Sequence, residues 1–151
     1  MTHKLPEPML NAFAAAEKAG IAGEVPVGAV IVDKLGNILA VAHNRTLTDR
    51  DPTAHAEMLA IREAAAKIGS ERLVDCDLYV TLEPCAMCAG AISHARIRRL
   101  YFAAADEKMG AVEHGPLFFN QQTCHHRPEI YGGIGEQRAR LLLTDFFKSR
   151  R

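Results

Sequence analysis

The chain has no tryptophan, only 6% aromatic residues and four cysteines among its 151 residues. Neither charge sign is in excess, because 18 lysines and arginines balance 18 aspartates and glutamates. This balance excludes a histone-like or polybasic protein. No apolar run approaches the ~20 residues that a membrane-spanning helix needs, so we expect no membrane partner.

Length and composition indicate one globular domain. Apolar residues make up 48% of the chain and charged residues 24%, and 151 residues suit a single domain over residues 1–151. The first ten residues have no long apolar core and no small-residue cleavage site, so we expect no secretory signal and a cytoplasmic location. Cytosolic thiols stay reduced, and a close pair of cysteines then indicates metal binding or catalysis.

Helical and strand patterns alternate along the chain. This order predicts an α/β domain with three α/β/α layers, in which helices flank a mixed central sheet. The turn chemistry of residues 34–37 predicts an antiparallel hairpin between the first two strands, and residues 106–128 show no clear pattern. The predicted helices cover residues 9–19, 54–68, 84–94 and 134–148, and the predicted strands cover residues 27–33, 38–43, 78–81 and 100–103.

Three residues have the chemistry and spacing of zinc ligands. Cys85 and Cys88 are three residues apart, and Pro84 before them predicts the start of a helix. The positive end of a helix favours the thiolate form of a cysteine. His55 stands at the start of the preceding helix. Two thiolates and one imidazole suit Zn²⁺, so two helix N-termini meeting at one metal would explain both segments.

The number of ligands separates a catalytic from a structural zinc site. A structural site takes four protein ligands, whereas a catalytic site takes three and leaves one position to water. Cys76 or Cys124 could complete a structural site, although neither has a paired spacing. Glu57, two residues after His55, favours the catalytic interpretation, because a carboxylate beside an activated water can accept and return its proton. Its alternative is an ordinary acid in the first turn of a helix.

The pattern His-x-Glu followed by Pro-Cys-x-x-Cys is the signature of the zinc deaminases. Beyond the signature, the chain resembles the bacterial tRNA-specific adenosine deaminases over nearly its whole length. The similar stretches are residues 24–29, 44–45, 51–57, 79–91, 106–111 and 145–147.

This resemblance implies a cytidine-deaminase-like fold, a homodimer and one Zn²⁺ per chain. The implied substrate is the wobble adenosine of a tRNA anticodon stem-loop, which is converted to inosine. The resemblance also assigns roles to residues: His55, Cys85 and Cys88 as zinc ligands, Glu57 as the proton shuttle, Asn44 as a contact to the target base, and Asp106 as a contact near the ribose of the flipped nucleotide. A contact to the 2′-hydroxyl would help to separate RNA from DNA.

Several of these residues have plainer interpretations. Asn44 ends a strand and could make an Asx-type turn, and Asp106 could cap the turn that follows it. Glu83, a possible second acid, has the position of a cap or a structural partner. His125 departs from the asparagine that the family has there, so it and His126 are candidates for RNA contact or simple surface.

The basic segments are candidates for phosphate contacts. Arg96, Arg98 and Arg99 could bind phosphate, and so could the tail 148–151. The alternative for Arg98 and Arg99 is a solvated strand entrance.

Two other functions fit parts of the sequence. A deaminase of a free base, cytosine or guanine, would share the four signature residues, but it has no use for a ribose contact or a basic tail. A non-catalytic, zinc-stabilised RNA-binding module would need no proton shuttle, and Glu57 therefore argues against it.

Overall fold

The computed structural model describes residues 4–150. Its centre is one mixed sheet of five strands in the order β2-β1-β3-β4-β5. β1 is antiparallel to both β2 and β3, whereas β3, β4 and β5 run parallel to one another. The strands are β1 (Gly28–Val32), β2 (Ile38–His43), β3 (Asp77–Leu82), β4 (Arg99–Ala104) and β5 (Glu129–Tyr131).

Four helices cover the two faces of the sheet, which confirms the predicted α/β/α layers. They are α1 (Glu7–Ile21), α2 (Ala56–Ile68), α3 (Ala86–Ala95) and α4 (Glu136–Ser149). One apolar cluster joins α2 and α3 to the sheet, and a second joins α1 and α4 to its other face. Successive side chains of β1 point to opposite faces of the sheet, so Ala29 and Ile31 lie in the first cluster and Val30 and Val32 lie in the second.

Gly28 allows α1 to approach the sheet closely. A Cβ at this position would collide with the backbone of Ala12 and lie 2.7 Å from the amide nitrogen of Ala16. Its amide also donates a hydrogen bond of 3.1 Å to the buried hydroxyl of Thr81 on β3. The first residue of β1 is therefore held from the helix side and from the neighbouring strand.

The predicted elements are present, with differences at their ends. α1 runs from Glu7 to Ile21, two residues beyond the predicted range 9–19 at each end. Pro84 does not open α3, which begins at Ala86 after the N-cap Cys85. β5 was missed because it is only three residues long, and a short 3₁₀ helix (Phe118–Asn120) lies in the unassigned region before it.

The parallel strands determine where a site can form. β3 and β4 end together at Leu82 and Ala104, which are paired in the sheet. The segments that follow them, 83–85 and 105–106, therefore lie at one edge of the sheet, where open α/β folds place their ligands. No helix within residues 4–150 combines the length and apolar character needed to cross a membrane.

Candidate active site

Two helix N-termini meet at the carboxyl edge of β3. His55 is the N-cap of α2, with extended backbone angles φ −74° and ψ 153°. Cys85 is the N-cap of α3, also extended, and Cys88 lies in its first turn. Each N-cap is the last extended residue before its helix begins. In this position the side chains of His55 and Cys85 are directed at the space between the two helices.

The donor atoms of His55, Cys85 and Cys88 are grouped at metal-binding distances. All three lie within 4.8 Å of one another, the one such group found in the described chain. The Nδ1 atom of His55 is 3.7 Å from the Sγ atom of Cys85 and 3.5 Å from that of Cys88. Tetrahedral zinc with its usual bond lengths to sulfur and nitrogen places these atoms about 3.6 Å apart. The residues therefore fit one Zn²⁺.

The pKa values of the two thiols are shifted in opposite directions. A hydrogen bond from Cys88 lowers the pKa of Cys85 to about 4, against the opposing effect of burial, and the His55 imidazole adds to the lowering. The same hydrogen bond raises the pKa of Cys88, and burial raises it further. Cys85 is thus a thiolate at neutral pH, the form that binds a metal.

Glu57 lies in the first turn of α2 beside these donors. Its side chain is 4% exposed, and its surroundings include the Cys88 thiol, the Cys85 thiol and the His55 imidazole. Burial raises the pKa of the Glu57 carboxyl to about 7. The group can therefore hold or release a proton near neutral pH, as a general acid–base residue must.

The other two cysteines are placed elsewhere. Cys76 is buried in the apolar cluster under α2 and α3, and its thiol contacts the carbonyl of Val74. Cys124 contacts the Ser93 hydroxyl and the carbonyl of His126. Neither thiol joins the metal-binding group, which leaves three protein ligands.

Asn44 connects the end of β2 to the start of α2. Its Oδ1 accepts a hydrogen bond of 2.8 Å from the amide of Ala56, the first residue of the helix. This long-range cap replaces the local Asx-type turn that was the plainer interpretation. The Nδ2 group has no partner within residues 4–150 and stays available as a donor.

Asp106 follows β4 at the same edge of the sheet. Its Oδ1 accepts hydrogen bonds from the amides of Lys108 and Met109, at 3.1 and 3.0 Å, so the predicted turn cap is present. Its Oδ2 has no partner among the described residues. Asp106 also lines a groove between residues 105–109 and α4, whose apolar walls include Leu82 and Phe147.

Glu83 is a structural partner, as one interpretation of the sequence had it, but the number of groups that it binds was not predicted. The side chain is 3% exposed and accepts hydrogen bonds from four groups. These donors are the amides of Asp106, Val112 and Glu113 and the Nδ1 atom of His114, at distances of 3.0, 3.1, 2.9 and 2.8 Å.

The charge of Glu83 and the charge of its histidine partner are linked. Burial acts to raise the pKa of Glu83, but the backbone hydrogen bonds from Asp106, Glu113 and Val112, with the one from His114, together lower it. The hydrogen bond to Glu83 raises the pKa of His114. Nothing in the local sequence around His114 signals this contact, because the two residues are 31 positions apart.

Two of the three arginines that were candidates for phosphate contacts have acidic partners, whereas Arg96 donates a hydrogen bond of 3.1 Å to the carbonyl of Ser93. Arg98 makes a bidentate contact to Asp77, with N–O distances of 2.9 and 2.8 Å. Arg99 pairs with Glu129 at 3.1 Å. Both therefore support the solvated-surface interpretation, in which strand-end charges pair with each other.

Among the remaining candidates for RNA contact, one makes a structural hydrogen bond and another is exposed on the surface. His126 makes a hydrogen bond of 2.7 Å to the carbonyl of Ile97, a structural contact, whereas His125 is exposed. In the tail, Arg150 lies over the Phe146 ring at 4.6 Å. Arg151 lies outside the described residues.

Comparisons with known proteins agree with this site. Residues 3–104 match the family described as the cytidine and deoxycytidylate deaminase zinc-binding region. The tRNA-specific adenosine deaminase of Agrobacterium fabrum is 53% identical over 140 residues, which cover 93% of this chain and 91% of that protein.

Solved structures extend the likeness to the fold. One, from a study of A-to-I editing by tRNA:A34 deaminases at the wobble position of transfer RNA, matches with a TM-score of 0.88 and 53% identity, over 90% of this chain and 98% of the other. A guanine deaminase from Bacillus subtilis matches with a TM-score of 0.63 and 43% identity, over 70% of this chain and 66% of the other. The chain belongs to the cytidine and deoxycytidylate deaminase family, and within it to the tRNA-specific adenosine deaminases.

Proposed function

We propose that the protein converts the wobble adenosine of a tRNA anticodon stem-loop to inosine. The observation that carries this proposal is the buried carboxylate of Glu57 beside the group of three zinc donors found among residues 4–150. Three ligands are the number that a hydrolytic zinc enzyme uses. The likeness to tRNA-specific adenosine deaminases over 93% of the chain supports the choice of substrate.

His55, Cys85 and Cys88 would hold the zinc. Zinc bound there would supply a Lewis acid that activates a water molecule at neutral pH. The His55 ring would bind through Nδ1, since that atom faces both sulfur atoms. The α3 N-terminus stabilises the thiolates, because its free amides and dipole favour negative charge.

Glu57 would carry the protons of the reaction. Hydrolysis replaces the amino group at C6 of adenine with oxygen from water and releases ammonia. Glu57 accepts a proton from the attacking water and returns it to the ring nitrogen, then carries the hydroxyl proton to the departing amino group. Its burial keeps bulk water from competing for these protons.

Asn44 and Asp106 would hold the nucleotide. The Nδ2 group of Asn44 is free to donate to the base, while its Oδ1 stays fixed on the N-terminus of α2. The Oδ2 atom of Asp106 is free to accept a hydrogen bond from the ribose 2′-hydroxyl. The target base must leave its stack to reach a buried carboxylate, and an anticodon loop makes this inexpensive because its bases are unpaired. The homodimer stays a prediction from the resemblance, and the cytoplasmic location stays a prediction from the first ten residues.

A guanine deaminase is the second candidate. The 43% identity to the Bacillus subtilis enzyme over 70% of the chain favours it, since both would use the same four signature residues. A free base has no ribose, however, and would leave the unpartnered Oδ2 atom of Asp106 without a role. A non-catalytic RNA-binding module is the weaker alternative. Burying the Glu57 carboxyl beside the donors destabilises the fold, and a structural zinc site has no need of that group.

We expect one zinc per chain, held without Cys76 or Cys124. A Cys76→Ala/Cys124→Ala variant should keep a full equivalent of zinc, because neither thiol reaches the donor group. Cys88→Ala should lose most of it, since it removes one of three ligands. Elemental analysis of the folded proteins, checked by circular dichroism, provides the measurement. Loss of metal from the double variant would mean that the site has a fourth, structural ligand.

Glu57→Ala should keep its zinc and its fold but lose turnover. A general acid–base group contributes ~10²–10⁴-fold in rate, so single-turnover deamination of an anticodon stem-loop should slow by at least that factor. Glu63→Ala, an exposed acid on the same helix, is the matched control and should retain the rate. A metal-free Glu57→Ala protein would instead identify Glu57 as a ligand and contradict the assigned role.

Asp106→Ala should weaken the preference for ribose at the target nucleotide. A hydrogen bond to a charged group contributes about 1.5–3 kcal/mol, so the ratio of kcat/KM for adenosine over 2′-deoxyadenosine should fall about ten- to a hundred-fold. The measurement uses two stem-loops that differ only at that sugar. Glu107→Ala, its exposed neighbour, should leave the ratio unchanged. Equal turnover of both stem-loops by the intact protein would remove Asp106 from the site.

A further inference from the structure

Glu83 occupies a place that the chemistry described so far does not explain. It stands between the last residue of β3 and the zinc-ligand segment, and its own amide donates a hydrogen bond of 2.8 Å to the carbonyl of Ala104 on β4. Its carboxylate faces residues 106–114, from which it accepts four hydrogen bonds. A buried charge with so many partners is expensive to desolvate and is retained only where its hydrogen bonds are complete.

Each oxygen atom of Glu83 accepts two of the hydrogen bonds from the loop formed by residues 106–114. Oε1 accepts the amide of Asp106 and the ring of His114, and Oε2 accepts the amides of Val112 and Glu113. Both ends of the loop are thereby tied to one side chain. The amide of Ala111, in the middle, donates a further hydrogen bond of 2.9 Å to the carbonyl of Pro84.

Gly110 allows the loop to lie directly on this carboxylate. A Cβ at Gly110 would be 2.5 Å from the Oε2 atom of Glu83 and would collide with the carbonyl oxygen of Asp106. Only glycine fits between the two groups without displacing one of them. The loop path and the Glu83 side chain are therefore matched to each other.

Asp106 is oriented from both sides by this arrangement. Glu83 holds its backbone amide, and the amides of Lys108 and Met109 hold its Oδ1. The Oδ2 atom of Asp106 has no partner among residues 4–150. An acceptor that is fixed at three points gains more from a single hydrogen bond than a mobile one, since no ordering entropy is lost on binding.

We propose that Glu83 is a positioning residue that fixes the carboxylate of Asp106 against the sugar of the target nucleotide and so sets the ribose specificity of the enzyme. This inference rests on the proposed contact between Asp106 and the 2′-hydroxyl. It assigns to Glu83 no contact with substrate or zinc. Its effect passes through the loop, and it should therefore be seen only when Asp106 is present.

The test is Glu83→Gln, measured on the stem-loops with adenosine or 2′-deoxyadenosine. Glutamine keeps the shape, but its NH2 group cannot accept hydrogen bonds, so two of the four donors lose their partner and face another donor. The ratio of kcat/KM for ribose over deoxyribose should fall about ten- to a hundred-fold, as far as in Asp106→Ala. In the Glu83→Gln/Asp106→Ala double variant it should fall no further, because residues that act through one another are not additive.

Two further variants separate positioning from general damage. Gly110→Ala pushes the loop off the carboxylate without altering Glu83 or the ligand segment, and should lower the same ratio even if Glu83→Gln folds poorly. Glu24→Gln is the matched control, because Glu24 is an equally buried carboxylate (1% exposed) that accepts four hydrogen bonds from residues 46–48 instead. It should leave the ratio of ribose to deoxyribose unchanged.

The outcomes distinguish this inference from the function on which it rests. A wild-type ratio in a zinc-loaded Glu83→Gln protein would overturn the inference while leaving the Asp106 contact intact. Additive losses in the double variant, or loss of zinc from Glu83→Gln, would show that Glu83 acts by another route and would also overturn it. An intact protein that does not discriminate between the sugars would refute the Asp106 contact itself, and the inference with it.

Discussion

Parallel pairing of β3 with β4 is the constraint on which the site depends. It places the segments after both strands at one edge of the sheet, so that Cys85 and Asp106 come from different parts of the chain to the same side. α2 then brings His55 to this edge by its N-terminus. A helix N-terminus has free amides and partial positive charge, and two of them directed at one place favour thiolate ligands there.

Three buried glutamates around this edge show how environment decides the role of one residue type. Burial alone acts to raise each pKa. Glu24 and Glu83 each accept four hydrogen bonds, which together lower the pKa of each carboxyl and keep the charge in place. Glu57 lacks such a set of donors, and burial raises its pKa to about 7. The first two are fixed charges that hold loops, whereas the third can exchange a proton.

The local parts of this account could be predicted from sequence, and the non-local parts could not. The spacing of Cys85 and Cys88 and the predicted helix starts identify the three ligands, including His55. A helix N-terminus can be predicted because it depends on a few neighbouring residues. The hydrogen bond that Glu83 accepts from the amide of Asp106 could not be read this way, since the two residues are 23 positions apart. β5 is too short to show a period, and only its place beside β4 makes it a strand.

The central claim is that this site deaminates adenosine in RNA, not a free base. Its most direct test is ammonia release by one zinc-loaded preparation from three substrates: an anticodon stem-loop with adenosine at the wobble position, free guanine and free cytosine. The account predicts release from the RNA, with one inosine formed per ammonia, and none above background from either base. Rapid release from guanine or cytosine with no inosine in the RNA would contradict it.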